Sequence, residues 1–285
     1  MGEQCSVDTL IAAENSNLTI ENYQARDITG RLIVLMNSTL AIAHSLFHSI
    51  NAYLSLIDST TSHISLLDVQ WVNLTTNSLA GKLWPGSSWL ISHSLFQDLH
   101  VTNEASYQIL ESSLTVHFST FRNFGLFQCT RSNVTITKSR VENVRNPVKV
   151  LRSMAAYGGA LSCLVPAGDS NSSALLQCDR RCGRSGVSAQ GTLVVQNCTF
   201  AACSASQAGA LFIQNMSFSI EHSYFLLNTA VHECKAFYAV IKPWQQGFIR
   251  YTLFYRNPAS EGGAIKWCNA KIQLLNTTFK ENSAS

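Results

Sequence analysis

The sequence predicts an all-β fold: a parallel β-helix of about ten coils, one domain spanning residues 1–285, with a single long loop insertion at residues 163–191. Three observations carry this. A short pattern recurs ten times, with copies beginning at Leu18, Leu40, Ile64, Trp89, Leu114, Val134, Leu193, Phe218, Gly247 and Ile272. Each copy opens with the period-2 alternation of a strand that has one buried face, as in Leu114-Thr115-Val116. Finally, small and aromatic residues fall into fixed columns, which suits layers that interdigitate.

The copies are separated by 22, 24, 25, 25, 20, 59, 25, 29 and 25 residues. A period in this range is too short for a domain and right for one turn of a solenoid. The fifth position of the copy is usually polar (Asn22, His44, Asp68, His93, Lys138, Asn197, His222, Asn276), and the chain is expected to turn there. The sixth is small in most copies (Ser45, Ser94, Ser119, Ser139, Cys198, Ser223, Thr252, Thr277), and the eighth is aromatic (Phe47, Trp71, Phe96, Phe121, Phe200, Phe225, Phe254, Phe279). A second strand is expected later in each coil, around residues 32–35, 53–57, 107–110, 125–128, 209–213, 236–240 and 262–265. A leucine-rich repeat has a similar period, but its leucine frame and helical return are missing here.

The 59-residue step is either two periods with a surplus or one period with a long insertion. Residues 163–191 are rich in Gly, Ser and Asp and break the alternation, as a protruding loop would. Cys178 and Cys182 lie within it beside Arg180, Arg181 and Arg184, which suggests a disulfide-tied loop; Cys163, Cys198, Cys203 and Cys234 are further disulfide candidates. A zinc site would need more ligands nearby, so no metal or cofactor is expected. A recognition loop for sulfated or acidic glycans is one reading of the arginines, with Lys138, Arg140, Arg145, Lys149 and Arg152 on adjoining coils, but a solvated charge cluster is the favoured one.

Only 13% of residues are charged and the net charge is +3, which is not the balance of a nucleic-acid binder. The nine cysteines fit an oxidising compartment. Sequons begin at Asn17, Asn37, Asn73, Asn133, Asn171, Asn197, Asn215 and Asn276, about twice the number this composition gives by chance. A secreted or cell-surface glycoprotein is expected. There is no secretory leader in the sequence as written and no apolar run long enough to span a membrane. No polar terminal cap is visible after Ser285, so the chain is expected to be a segment of a longer solenoid.

Glycine-led strands at 158–161 and 262–265, a shortened Gly-Ala-Leu at 209–211, and the F-x-x-N elements at 225–228, 254–257 and 279–282 resemble the repeats of polymorphic outer membrane proteins. Those repeats occur in pectin-lyase-like surface proteins. The resemblance covers residues 158–285 and implies a right-handed coil and a cell-surface, commonly adhesive role. The first half differs, reading Phe96-Gln97-Asp98-Leu99 and Phe121-Arg122-Asn123-Phe124 where the family has F-x-x-N.

Catalysis is not expected. Glycoside hydrolysis needs two converging carboxylates, yet Asp68 and Asp98 occupy different repeat positions, and Asp27 and Asp98 share one but sit three coils apart. His44, His93 and His222 share the fifth position on separated coils and read as outward turn residues. Among the tryptophans, Trp89 and Trp267 fall in strands, whereas Trp84 and Trp244 adjoin prolines and are candidate glycan contacts. The expected role is a structural or adhesive scaffold contacting other protein chains along the rod or at its ends, with surface glycans as further candidate partners. The alternative is a carbohydrate-binding module or a polysaccharide-processing enzyme.

Overall fold

The computed structural model describes residues 5–52, 55–76, 81–101, 107–123, 127–130, 132–143, 161–164, 192–205, 208–214, 216–230, 236–241, 243–258, 263–268 and 271–283. It is a parallel β-helix without an α-helix among these residues. The chain winds through three parallel sheets, called here the first, second and third faces, and each strand pairs with its equivalent one coil later.

The first face is built from Cys5–Glu14, Ile28–Met36, Ile57–Thr60, Gly81–Leu83, Tyr107–Leu110, Phe127–Thr130, Leu161–Leu164, Leu211–Gln214, Phe237–Val240 and Ile265–Cys268. On the second face, Leu18 pairs with Leu40, then Ile64, Trp89, Leu114, Val134, Leu193, Phe218, Gly247 and Ile272 in unbroken register. These are the ten starts of the sequence repeat. The third face stacks the eighth repeat position, from Ala25 through Phe47, Trp71, Phe96, Phe121, Val141, Phe200, Phe225 and Phe254 to Phe279. Ten coils at about 4.8 Å each make a rod about 45–50 Å long.

Inward positions of all three faces form one continuous core. The third-face rings lie nearly parallel, with centroids 4.5 Å apart for Phe47 and Trp71, 5.0 Å for Phe96 and Phe121, and 4.8 Å for Phe225 and Phe254. Each such pair contributes about 0.5–1.5 kcal/mol beyond its burial. On the second face, Gly247 leaves the space that the Phe218 ring of the preceding coil fills: a Cβ there would lie 2.4 Å from Phe218 Cζ. Large beside small is therefore realised between neighbouring coils as well as along one.

The turn from second to third face takes two residues in eight coils, while in coils 2 and 3 the strands Thr39–Ala52 and His63–Thr76 run through it. Its first residue is in the left-handed region ten times over, at Asn22, His44, Asp68, His93, Phe118, Lys138, Asn197, His222, Tyr251 and Asn276. Asn, Asp and His adopt this conformation most easily, which explains the polar fifth position. Phe118 and Tyr251 depart from it, and each stacks on the histidine one coil earlier, at 4.9 and 4.8 Å. The next residue is the small sixth position. Its hydroxyl accepts the N–H of the preceding coil and donates to the carbonyl two residues back: Ser94 N bonds Ser119 Oγ at 3.1 Å, Ser119 N bonds Ser139 Oγ at 3.1 Å, and Ser119 Oγ donates to His117 O at 2.8 Å. Buried backbone amides at the turn are thereby satisfied.

Past the third face the two halves of the rod differ. Asp27, Ser49, Asn73 and Asp98 take the left-handed conformation and precede buried Ile28, Ile50, Leu74 and Leu99. In the C-terminal coils the equivalent buried residues are Cys203, Asn228 and Asn257, with Asn282 in the last coil. Asn228 N donates to Asn257 Oδ1 and Asn257 N to Asn282 Oδ1, both at 3.0 Å, while the amide groups of Asn228 and Asn257 donate to Phe200 O and Phe225 O. F-x-x-N is thus a ladder of buried asparagines that bridges coils.

Several boundaries are corrected. The 59-residue step is one coil with an insertion, because Val134 and Leu193 are direct neighbours. The chain leaves the first face after Leu164, so Cys163 belongs to a strand paired with Cys129 and Ile213 rather than to the insertion. Strands begin at Ile57 and Phe127, later than expected, and at Leu211 and Ile265, after the glycines. Gly263, at φ +53°, supplies the turn before the strand.

Candidate functional site

The corner between first and second faces behaves differently from the one just described. In coils 1, 2, 3, 5, 6, 8 and 10 only two residues separate the strands. Typical pairs are Asn15-Ser16, Asn37-Ser38 and Thr61-Ser62, in which a left-handed residue precedes a serine whose N–H donates to the serine hydroxyl of the next coil, as Ser16 N does to Ser38 Oγ at 3.2 Å and Ser38 N to Ser62 Oγ at 3.1 Å. The other three coils widen this corner: four residues, 84–87, in coil 4; residues 165–191 in coil 7; and five residues, 241–245, in coil 9. The link from third to first face varies in length as well, from one residue in coil 1 to eighteen in coil 6.

In coil 4 the sequence Trp84-Pro85-Gly86-Ser87 folds as a type II turn. Ser87 N donates to Trp84 O at 3.2 Å, proline stands at the second position, and Gly86 at the third has φ +80°. Neighbouring coils hold it on both sides: Trp84 N donates to Ser59 O at 2.9 Å and Ser112 Oγ to Trp84 O at 2.8 Å. The indole is 39% exposed. Its Nε1 donates to Asp58 Oδ1 at 3.0 Å, and Lys82 Nζ lies 5.9 Å from the ring centroid. Coil 9 repeats the theme with Pro243-Trp244, where Trp244 is 64% exposed. The two rings sit five coils apart, about 24 Å along the axis.

Trp84 and Trp244 thus share an edge with the ends of the insertion. The insertion residues themselves, among them Arg180, Arg181, Arg184, Cys178, Cys182 and Asn171, lie outside the described residues, as do Cys234, Asn215, Arg145, Lys149 and Arg152. Of the remaining tryptophans, Trp89 is buried in the core, while Trp267, on the last described first-face strand, is exposed.

Cys198 and Cys203 are corrected as disulfide candidates. Both are buried in the core columns, and Cys198, a free thiol, donates through Sγ to Ile136 O and Gln196 O at 3.2 and 3.1 Å. Burial pushes the Cys198 thiol up to about 11, against smaller opposing contributions from backbone hydrogen bonds. It is a rung of the small-residue ladder, not a reactive group. The sequon residues Asn17, Asn37, Asn73, Asn133, Asn197 and Asn276 are all exposed. Asn37 Nδ2 donates to Asn15 Oδ1 and Asn133 Oδ1 accepts from Thr192 N, so two of them also brace adjacent coils.

Charged and imidazole groups elsewhere on the surface are tied to their neighbours. His44 Nδ1 and Asp68 Oδ2 are 3.0 Å apart, Arg122 and Arg140 both meet Glu142, and Lys138 Nζ sits 4.7 Å from the Phe118 ring centroid. Asp98 is held below its ordinary value by hydrogen bonds from Asn123 and then Gln97. Asp27 and Asp98 occupy equivalent turns of coils 1 and 4. Among the described residues no three His, Cys, Asp or Glu side chains gather as a metal site would require.

No family model and no curated protein matches the chain. Among solved structures, the catalytic domain of a GH87 alpha-1,3-glucanase in complex with nigerose aligns over 97% of this chain and 60% of its own length, with 7% identity and a TM-score of 0.26. The fluoroquinolone resistance protein QnrB1 aligns over 94% and 91%, with 6% identity and a TM-score of 0.17. The expectation that the chain is not an enzyme is withdrawn, since the catalytic domain of a glycoside hydrolase stands among the structures it aligns with. At these scores neither alignment carries an activity or a ligand over to this chain.

Proposed function

We propose that the chain is an adhesive β-helical scaffold of an extracellular or cell-surface glycoprotein, and that its first-to-second corner is the edge that meets the partner. One observation carries this reading: a corner that can be closed by two residues is widened in three coils, and both described widenings expose a tryptophan. Widening that the fold does not require is where contact residues are placed on a rigid scaffold. Six exposed sequon asparagines support a secreted setting, as does the resemblance of the F-x-x-N coils to adhesive surface repeats.

The test is adhesion of the immobilised chain to glycan-coated and cell surfaces. Trp84→Ala/Trp244→Ala should abolish adhesion, and Tyr224→Ala/Leu227→Ala, exposed on the third face, should leave it intact. The reverse pattern would overturn the assignment of the edge. A reducing-end assay on any captured polysaccharide decides between capture and cleavage.

A further inference from the structure

Taking the first-to-second corner as the contact edge, we infer that Trp84, Asp58 and Lys82 form a subsite for a neutral pyranose ring. A pyranose presents an apolar C–H face bounded by hydroxyls, so it calls for a fixed aromatic ring with a donor and an acceptor beside it. The corner supplies all three on two adjacent coils. Asp58 and Lys82 are direct ladder neighbours on the outer side of the first face, and Trp84 follows Lys82 by two residues.

The ring is held in place before any ligand arrives. Its backbone is bonded to coils 3 and 5, the Pro85-Gly86 turn fixes its direction, and its Nε1 is bonded to Asp58 Oδ1. Preorganisation of this kind lowers the entropy cost of binding. With one oxygen of Asp58 engaged by the indole, its second oxygen is available to accept from a sugar hydroxyl, and Lys82 donates. One cation beside one anion gives the subsite no net charge, which favours a neutral sugar over a uronate or sulfated one. The two-residue corners of coils 1, 2, 3 and 5 carry no aromatic residue, so the subsite belongs to the widened turn and not to the repeat.

Titration calorimetry on the whole chain, with cellohexaose and maltohexaose as neutral probes and a hyaluronan oligomer as the acidic one, tests this. A neutral oligomer should bind. Trp84→Ala should weaken that binding by about tenfold or more, and Lys82→Ala by a few-fold, as expected for an aromatic platform and one exposed hydrogen bond. Tyr224→Ala, exposed on the third face, should leave it unchanged, and an unaltered thermal transition shows that the Trp84→Ala rod is folded. Three results would overturn the inference: no heat with either neutral oligomer, neutral binding indifferent to Trp84, or tighter binding of hyaluronan that depends on Lys82 alone. If adhesion in the edge assay survives any of these, the contact edge stands and only the neutral-sugar subsite falls.

Discussion

Two corners of the same rod follow opposite rules. Between second and third faces every coil carries a left-handed residue, followed in most coils by a small one that bonds the coil before. Between first and second faces a similar serine turn suffices in several coils, yet coils 4, 7 and 9 place more residues between the strands. The comparison teaches that invariance here marks a structural demand. Buried amides at the uniform corner have no partner except the ladder. The variable corner keeps a buried serine ladder of its own through Ser38, Ser62 and Ser87, but in coil 4 the residues added outside that ladder, Trp84, Pro85 and Gly86, are exposed, where extra length costs only a slowly growing loop entropy.

The halves of the rod give a parallel lesson past the third face, where buried Ile50, Leu74 and Leu99 of the N-terminal coils give way to Asn228 and Asn257. An aliphatic column needs only volume, whereas an asparagine column needs every member. The largest effect is therefore expected at Asn257→Leu: it removes the acceptor of the Asn228 N–H and of one Asn228 amide N–H, and the donor to Phe225 O, and should cost about 3–5 kcal/mol in urea unfolding at about 1–3 kcal/mol per buried orphan. A cost below about 1 kcal/mol would mean that the ladder is dispensable.

At the uniform corner, Ser119→Ala leaves the Ser94 N–H without its acceptor. The expected loss is about 1–3 kcal/mol. Cys198→Ser keeps a donor and acceptor of similar shape and should change stability by less than about 1 kcal/mol. A much larger loss, seen only under oxidising conditions, would restore the disulfide reading of this residue.

The smallest effect is electrostatic and concerns Asp98. Its carboxyl is depressed in the folded rod, so its contribution is present above the unfolded value of about 3.9 and is lost as pH falls through the lower folded value. Asp98→Asn should therefore flatten the acid limb of the stability profile below about pH 4 and leave the neutral region unchanged. Urea midpoints across pH 2–7 check this; an effect confined to neutral pH would contradict it.

Much of the fold was legible because the second face repeats in register. The ten starts, the aromatic column and the small column follow from period-2 alternation and layer packing alone. The small column also misled: a thiol among serines reads as a disulfide candidate, and only burial shows that Cys198 substitutes for a hydroxyl. The asparagine of F-x-x-N could be recognised as a motif, but its bonding runs across coils 25 and 29 residues apart, which no local pattern reveals. The contact edge was the least legible. Trp84 and Trp244 stood out beside their prolines, but only the placement of the intervening strands, with steps ranging from 20 to 59 residues, puts both on one corner.

The most direct test of that edge is to close it. Replacing Trp84-Pro85-Gly86-Ser87 with the Asn-Ser turn of coil 2 keeps the serine that accepts from Ser62 N and restores the two-residue corner. Adhesion measured beside thermal unfolding should then show a rod as stable as the parent, within about 1 kcal/mol, that no longer holds its partner. Full adhesion by the folded, closed-corner rod would contradict the claim that the widened corner is there for binding.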